Sequence, residues 1–172
     1  MHNERLDDMA TIRDNARRLN PDADIVESDL TLTVSDAELI RGRRVLVIED
    51  GPTLTHGGME FGAGFLAALQ EAAGEMIDPR PAAVGSIAET FQRYPHVRSV
   101  LPACGYSAEQ LGDLRQTIER CTPEVVIDAS PAGLDRLIDF SCPVVRVRYA
   151  FEQTTGTEIE QRVLRAIEPS WK

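Results

Sequence analysis

The run Arg44-Val45-Leu46-Val47-Ile48 is apolar at every position after the arginine, not at every second one. A strand of that kind has no face to give to water, so it belongs inside a sheet covered on both sides, which is the habit of parallel sheets. Parallel neighbours need helical crossovers, and the rest of the chain has the pattern for them. Leu6, Met9, Ile12, Ala16 and Leu19 recur at three- and four-residue spacing, predicting a helix that Asn20-Pro21 closes. Extended pieces follow over 23–27 and 31–34. Helices are expected over 59–73, 86–93, 107–121, 134–140 and 158–167, alternating with strands over 44–48, 75–77, 97–101, 124–127 and 144–149. Ser107 with Gln110 reads as a capping box. The expected fold is α/β and Rossmann-like: a mostly parallel sheet of about six strands with helices on both faces. Residues 1–22 form a separate N-terminal helix in this reading, and 23–172 the α/β domain.

Charge limits the partners. With 28 acidic against 18 basic residues the formal charge is −10, which leaves no clustered cations to hold a phosphate backbone; nucleic acid is not an expected partner. Lys172 is the only lysine, so a phosphate-loop lysine is ruled out and any anion-binding cation is an arginine, a planar fork. No apolar run approaches the ~20 residues of a membrane span. Three cysteines without C-x-x-C spacing suggest neither a disulfide framework nor a zinc knuckle. A cytoplasmic protein is expected.

Ligands of open parallel sheets sit beyond the carboxyl ends of the strands. There the chain reads Glu49-Asp50-Gly51-Pro52-Thr53-Leu54-Thr55-His56-Gly57-Gly58. Glycines let backbone amides approach an anion, and a helix start directs unpaired N–H groups at it. On this reading Gly51, Gly57 and Gly58 with Thr53 and Thr55 bind phosphate, Glu49 and Asp50 hold Mg²⁺, and His56 donates or carries a proton. The same residues read equally well as a tight turn with Thr55 as N-cap and solvated acids, because neither G-x-G-x-x-G nor G-x-x-x-x-G-K-[ST] is present. Arg80, between Pro79 and Pro81, and Ser86 are secondary ligand-binding candidates. Arg80 reads either as an anion clamp or as a surface residue in a stiff turn. His96 is expected away from the ligand edge. Cys104 sits near a helix start but has no neighbouring base to make it a nucleophile. Ser130-Pro131 reads as a helix cap, and Arg146 with Arg148 as one face of the last strand.

Several of these motifs occur together: residues 49–59, Phe61-Gly62-Ala63-Gly64, Asp78-Pro79-Arg80-Pro81, Val84-Gly85-Ser86-Ile87, Tyr94-Pro95-His96, Leu101-Pro102-Ala103 and Val145-Arg146-Val147-Arg148-Tyr149. In that combination the chain resembles the C-terminal part of the cyclic 2,3-diphosphoglycerate synthetase-like proteins, a family of predicted GTPases. The resemblance implies a domain that binds a small phosphorylated metabolite at 49–58, as a component of an ATP-dependent phosphoryl-transfer or ligase system. Glu49, Asp50 and His56 would then be its catalytic candidates. The family's upstream phosphate-loop domain has no counterpart here, so helix 1–22 would be its remnant. ATP or GTP would come through a separate phosphate-loop subunit or a missing domain. Ala82 and Cys104 also depart from the family pattern. The alternative is a non-catalytic module that binds the same metabolite to regulate or scaffold another protein, alone or as a homo-oligomer.

Overall fold

The computed structural model describes residues 2–156 and 158–167, with side chains described from Asp8 onward except at Ala166. Leu6 and Lys172 therefore lie outside the described side chains. The elements are α1 (His2–Leu19), β1 (Glu27–Val34), β2 (Arg44–Asp50), α2 (Gly51–Thr55), α3 (Ala63–Gln70), β3 (Glu75–Met76), α4 (Gly85–Arg93), β4 (Leu101–Ala103), α5 (Ala108–Cys121), β5 (Val125–Asp128), β6 (Val144–Thr155) and α6 (Ile159–Ile167). The chain is α/β with a six-stranded sheet in the order β1-β6-β5-β2-β3, β4 also pairing with β2. Five strands run parallel: β2 pairs β3, β4 and β5 in parallel, and β5 pairs β6 in parallel. β1 is antiparallel, since Ser35 N donates to Arg146 O at 3.0 Å while Thr33 Oγ1 donates to Arg148 O, one index rising as the other falls.

The chain divides into two compact units, Leu32–Ala150 and Met1–Thr31 with Phe151–Lys172. In the first, β2 has the continuous apolar character read from the sequence, because both of its faces are covered. Val45 and Val47 pack with Ala63, Ala67 and Ala68 of α3. Leu46 and Ile48 pack with Ile87 of α4 and Leu114 and Ile118 of α5. All four β2 residues are fully buried. Ser107 accepts from Gln110 N, and the Gln110 side chain returns to Ser107 N, so the capping box that opens α5 is present.

Four local expectations are corrected. Residues 51–55, expected as a loop, make a helical turn. The helix expected over 59–73 begins only at Ala63. The strand expected over 97–101 is confined to β4: Val97 and Val100 are buried without joining a ladder, and burial without pairing imitates a strand in sequence. The helix expected over 134–140 shrinks to one 3-10 turn, Leu134–Arg136, behind Gly133 at φ +69°.

Candidate functional site

At the end of β2, Glu49 turns into the protein and is 2% exposed. Its Oε1 accepts Gly62 N at 3.1 Å and Phe65 N at 2.8 Å, the unpaired amides at the start of α3. Burial raises the carboxyl's pKa, and the amide bonds from Phe65, Gly64 and Gly62 pull it back down. The two glycines of Phe61-Gly62-Ala63-Gly64 make this approach possible. A Cβ on Gly62 would stand 2.6 Å from Glu49 Oε2, and one on Gly64 2.8 Å from Val47 Cγ1. Glu49 is thus the acceptor that fixes where α3 begins, which is why the helix starts later than periodicity suggested.

Asp50 is the N-cap of α2: Oδ2 accepts Thr53 Oγ1 at 2.8 Å and Thr53 N at 3.3 Å. Two further amides are engaged at the end of the turn, His56 N and Gly57 N both donating to Pro52 O. Thr55 Oγ1 donates back to Gly51 O at 3.0 Å and meets His56 Nδ1 at 3.0 Å. Of the amides expected to converge on a phosphate, those of Thr53, His56 and Gly57 are bonded within the turn. Gly58, at φ +65°, turns the chain away. Gly51 serves a different purpose. A Cβ there would lie 2.4 Å from Ala103 O and 2.6 Å from Cys104 Sγ, so β2 and β4 meet closely only because it is glycine. Gly51→Ala is expected to cost about 1–3 kcal/mol of unfolding free energy, measured by urea denaturation; an unchanged midpoint would reject this contact.

Beside this turn the ends of β5 and β6 build a second wall. Asp128, fully buried, accepts Ser130 N and Ser130 Oγ on Oδ1 (2.9 and 2.6 Å) and Leu134 N on Oδ2 at 3.0 Å. Arg146 faces it across the ladder, where Asp128 and Arg146 are paired residues, with NH2 4.0 Å from Asp128 Oδ2 and NH1 2.7 Å from Asp135 Oδ1. The guanidinium lies over Gly133, where a Cβ would come within 2.6 Å of NH1. Arg146 Nε is buried with no partner among the described residues. Glu49, Asp50, Thr53, Ala129, Ser130, Pro131 and residues 146–149 enclose a cavity of about 420 Å³, of the size that takes small-molecule ligands. Arg148 reaches it from an exposed position with no side-chain partner among the described residues. Tyr149 lies by the acids, its phenol pushed up by burial first and then by Glu49.

Of the residues singled out in the sequence, Glu49, Asp50 and Thr53 line this cavity; Gly51, Thr55, His56, Gly57 and Gly58 shape the turn behind it. Arg80 and Ser86 are not on its wall. Arg80 is held by Asp78, Nε donating to Oδ1 at 2.9 Å, and that hydrogen bond lowers the Asp78 pKa. Ser86 N and Oγ both donate to Asp113 Oδ2 at 2.8 Å, tying α4 to α5. His96 reaches the α2 turn, Nε2 lying 2.9 Å from Leu54 O, so it is nearer the ligand edge than strand direction suggested. The Cys104 thiol is pushed up by burial and by Asp50, the reverse of what a nucleophile needs. Among the described residues no group of three or more His, Cys, Asp or Glu side chains is placed to hold a metal. Oε1 of Glu49 and Oδ2 of Asp50 are already bonded within the protein, which leaves each carboxylate one oxygen for a hard cation. Sequence reading missed Asp128, Ser130, Arg146, Arg148 and Tyr149 as a group. The available signal was that they follow the ends of two adjacent parallel strands.

No helix among the described residues is long and apolar enough to cross a membrane. No family model matches the chain, and no solved structure matches it. Over 165 residues, 96% of its length, the chain is 46% identical to a protein of Thermococcus kodakarensis named arginine synthetase ArcE. It spans only 36% of that relative. The chain is therefore similar to about a third of a protein whose name is that of a synthetase.

Proposed function

We propose that this chain is the substrate-holding component of an ATP-dependent synthetase, and that the cavity between the ends of β2, β5 and β6 takes the anionic group of a small metabolite. The observation that carries this is that Arg148, with no side-chain partner among the described residues, stands beside the largely buried Arg146 on one cavity. Their forked donors suit phosphate and carboxylate alike. The resemblance to cyclic 2,3-diphosphoglycerate synthetase-like proteins favours a phosphorylated metabolite. The relative's name favours a carboxylated amino acid, and the acids on the opposite wall, Glu49 and Asp50, would suit its cationic end. In either case the cavity binds and orients the substrate. Mg²⁺, where used, would arrive with phosphate beside Asp50, and the nucleotide would be bound by another chain or another part of a longer one.

The test is a thermal-shift titration of the chain with phosphoglycerates and with arginine, with and without Mg²⁺, because a ligand of the native state raises its melting temperature by mass action. Arg148→Ala should weaken the binding ligand about 10–100-fold, the loss of a charge-assisted pair of ~1.5–3 kcal/mol, with little change in the unliganded melting temperature. Stabilisation by none of these ligands, or an undiminished shift in the variant, would reject this cavity.

A further inference from the structure

The unit formed by Met1–Thr31 and Phe151–Lys172 has an unusual distribution of apolar residues. Every buried hydrophobic residue among those described lies between Ile40 and Val147, in the other unit. Met9, Ile12, Leu19, Leu30, Phe151, Ile159, Val163, Leu164 and Ile167 belong to the unit of Met1–Thr31 and Phe151–Lys172 and are all exposed, Leu19 by 81% and Ile12 by 61%. On α6 the four apolar residues fall at i, i+4, i+5 and i+8, one stripe of a helix. On α1, Met9, Ile12 and Leu19 belong to the face that the sequence marks as core-directed. Two ion pairs tie the unit, Arg13 with Glu27 and Arg162 with Asp24, while Ile25 and Val26 are partly buried. A unit patterned for burial with no fully buried apolar side chain among its described residues is missing its cover, since monomeric proteins rarely leave many large apolar side chains together in water.

The similarity to the synthetase suggests what the cover is. The match takes in 96% of this chain, so nearly all of this unit's sequence is shared with a protein that has almost twice as many further residues beyond the matched third. We propose that the apolar stripes of α1 and α6, with Phe151, are the docking surface for the polypeptide equivalent to the other two thirds of that synthetase, present as a separate chain or as further sequence of the same one. The inference rests on the proposed function, in which the nucleotide is bound outside this chain. It adds the surface through which the nucleotide-binding part is held.

The test is co-expression of the full chain with the polypeptide from the same genome that matches the remaining two thirds of arginine synthetase, followed by light scattering and titration calorimetry. A one-to-one complex is expected. Val163→Asp/Leu164→Asp, with Ile12→Asp as an independent variant, should weaken it about 100-fold, as loss of central apolar anchors does. The circular dichroism and melting temperature of the variants alone should hardly change, since these side chains are about half exposed or more. Arg148→Ala separates the two readings: it should diminish the ligand shift as above and leave association intact. Association untouched by the α1 and α6 variants overturns the proposal. So does a stable homodimer that those variants disperse, or a genome with no sequence matching the other two thirds, in this chain's gene or in another.

Discussion

Replacing Glu49 by alanine is expected to cost about 3 kcal/mol of unfolding free energy, among the largest effects any single substitution should have here. The side chain is 2% exposed and is the acceptor for the first amides of α3. Its removal leaves at least two buried donors without partners and a cavity under the helix, each at ~1–3 kcal/mol. Glu49→Gln separates shape from charge, since its amide oxygen still accepts from Gly62 and Phe65. The carboxyl's pKa is raised in the folded protein, so between the ordinary carboxylate value and the raised one the native state binds more protons than the unfolded state. Stability from this group is therefore full at low pH and falls as pH rises through that window. Chemical denaturation of wild type and Glu49→Gln from pH 4 to 8 should show wild type losing ground to the variant as pH increases. A difference that is constant with pH, or that grows in favour of wild type, would reject the assignment of a burial-raised carboxyl.

The second large effect is at Asp128. Asp128→Ala should cost about 3–5 kcal/mol, because it strips an acceptor from Ser130 and Leu134 and leaves the largely buried Arg146 with Asp135 as its only carboxylate. Asp128→Asn keeps one oxygen for Ser130 and removes the charge, so it should fold with a smaller loss while releasing Arg146 into the cavity. Ligand affinity then reports on the wall separately from stability. An Asp128→Ala protein with an unchanged urea midpoint would show that Arg146 is not held by this carboxylate.

The fold was legible because its signals are local. Continuous apolarity in β2 reports burial on both faces, Ser107 and Gln110 report a cap, and Asn20-Pro21 a helix end, each within a few residues. Elements set from a distance were not legible. The start of α3 depends on a carboxylate 13 residues earlier, and the helix expected over 134–140 is cut to one turn where Asp128 meets Leu134 N. Strand direction alone places residues 49–58 at the carboxyl end of β2. That Asp50 and Pro52 accept from the amides of Thr53, His56 and Gly57 was not legible, because helical turns and anion-binding loops share the same glycines and hydroxyls. The arginines at the cavity looked like one face of a strand. Only the parallel register of β5 and β6, with Asp128 opposite Arg146, shows that face as part of a cavity wall.

What the amino-acid sequence determines by itself is the class of fold and the sheet edge at which residues 49–58 lie, since hydrophobic period and strand direction depend on near neighbours in the chain. Which side chains line the cavity at that edge, and which cap helices, was decided by the tertiary structure. An acceptor satisfies whichever donors are brought to it in space, and spacing along the chain does not say which those are.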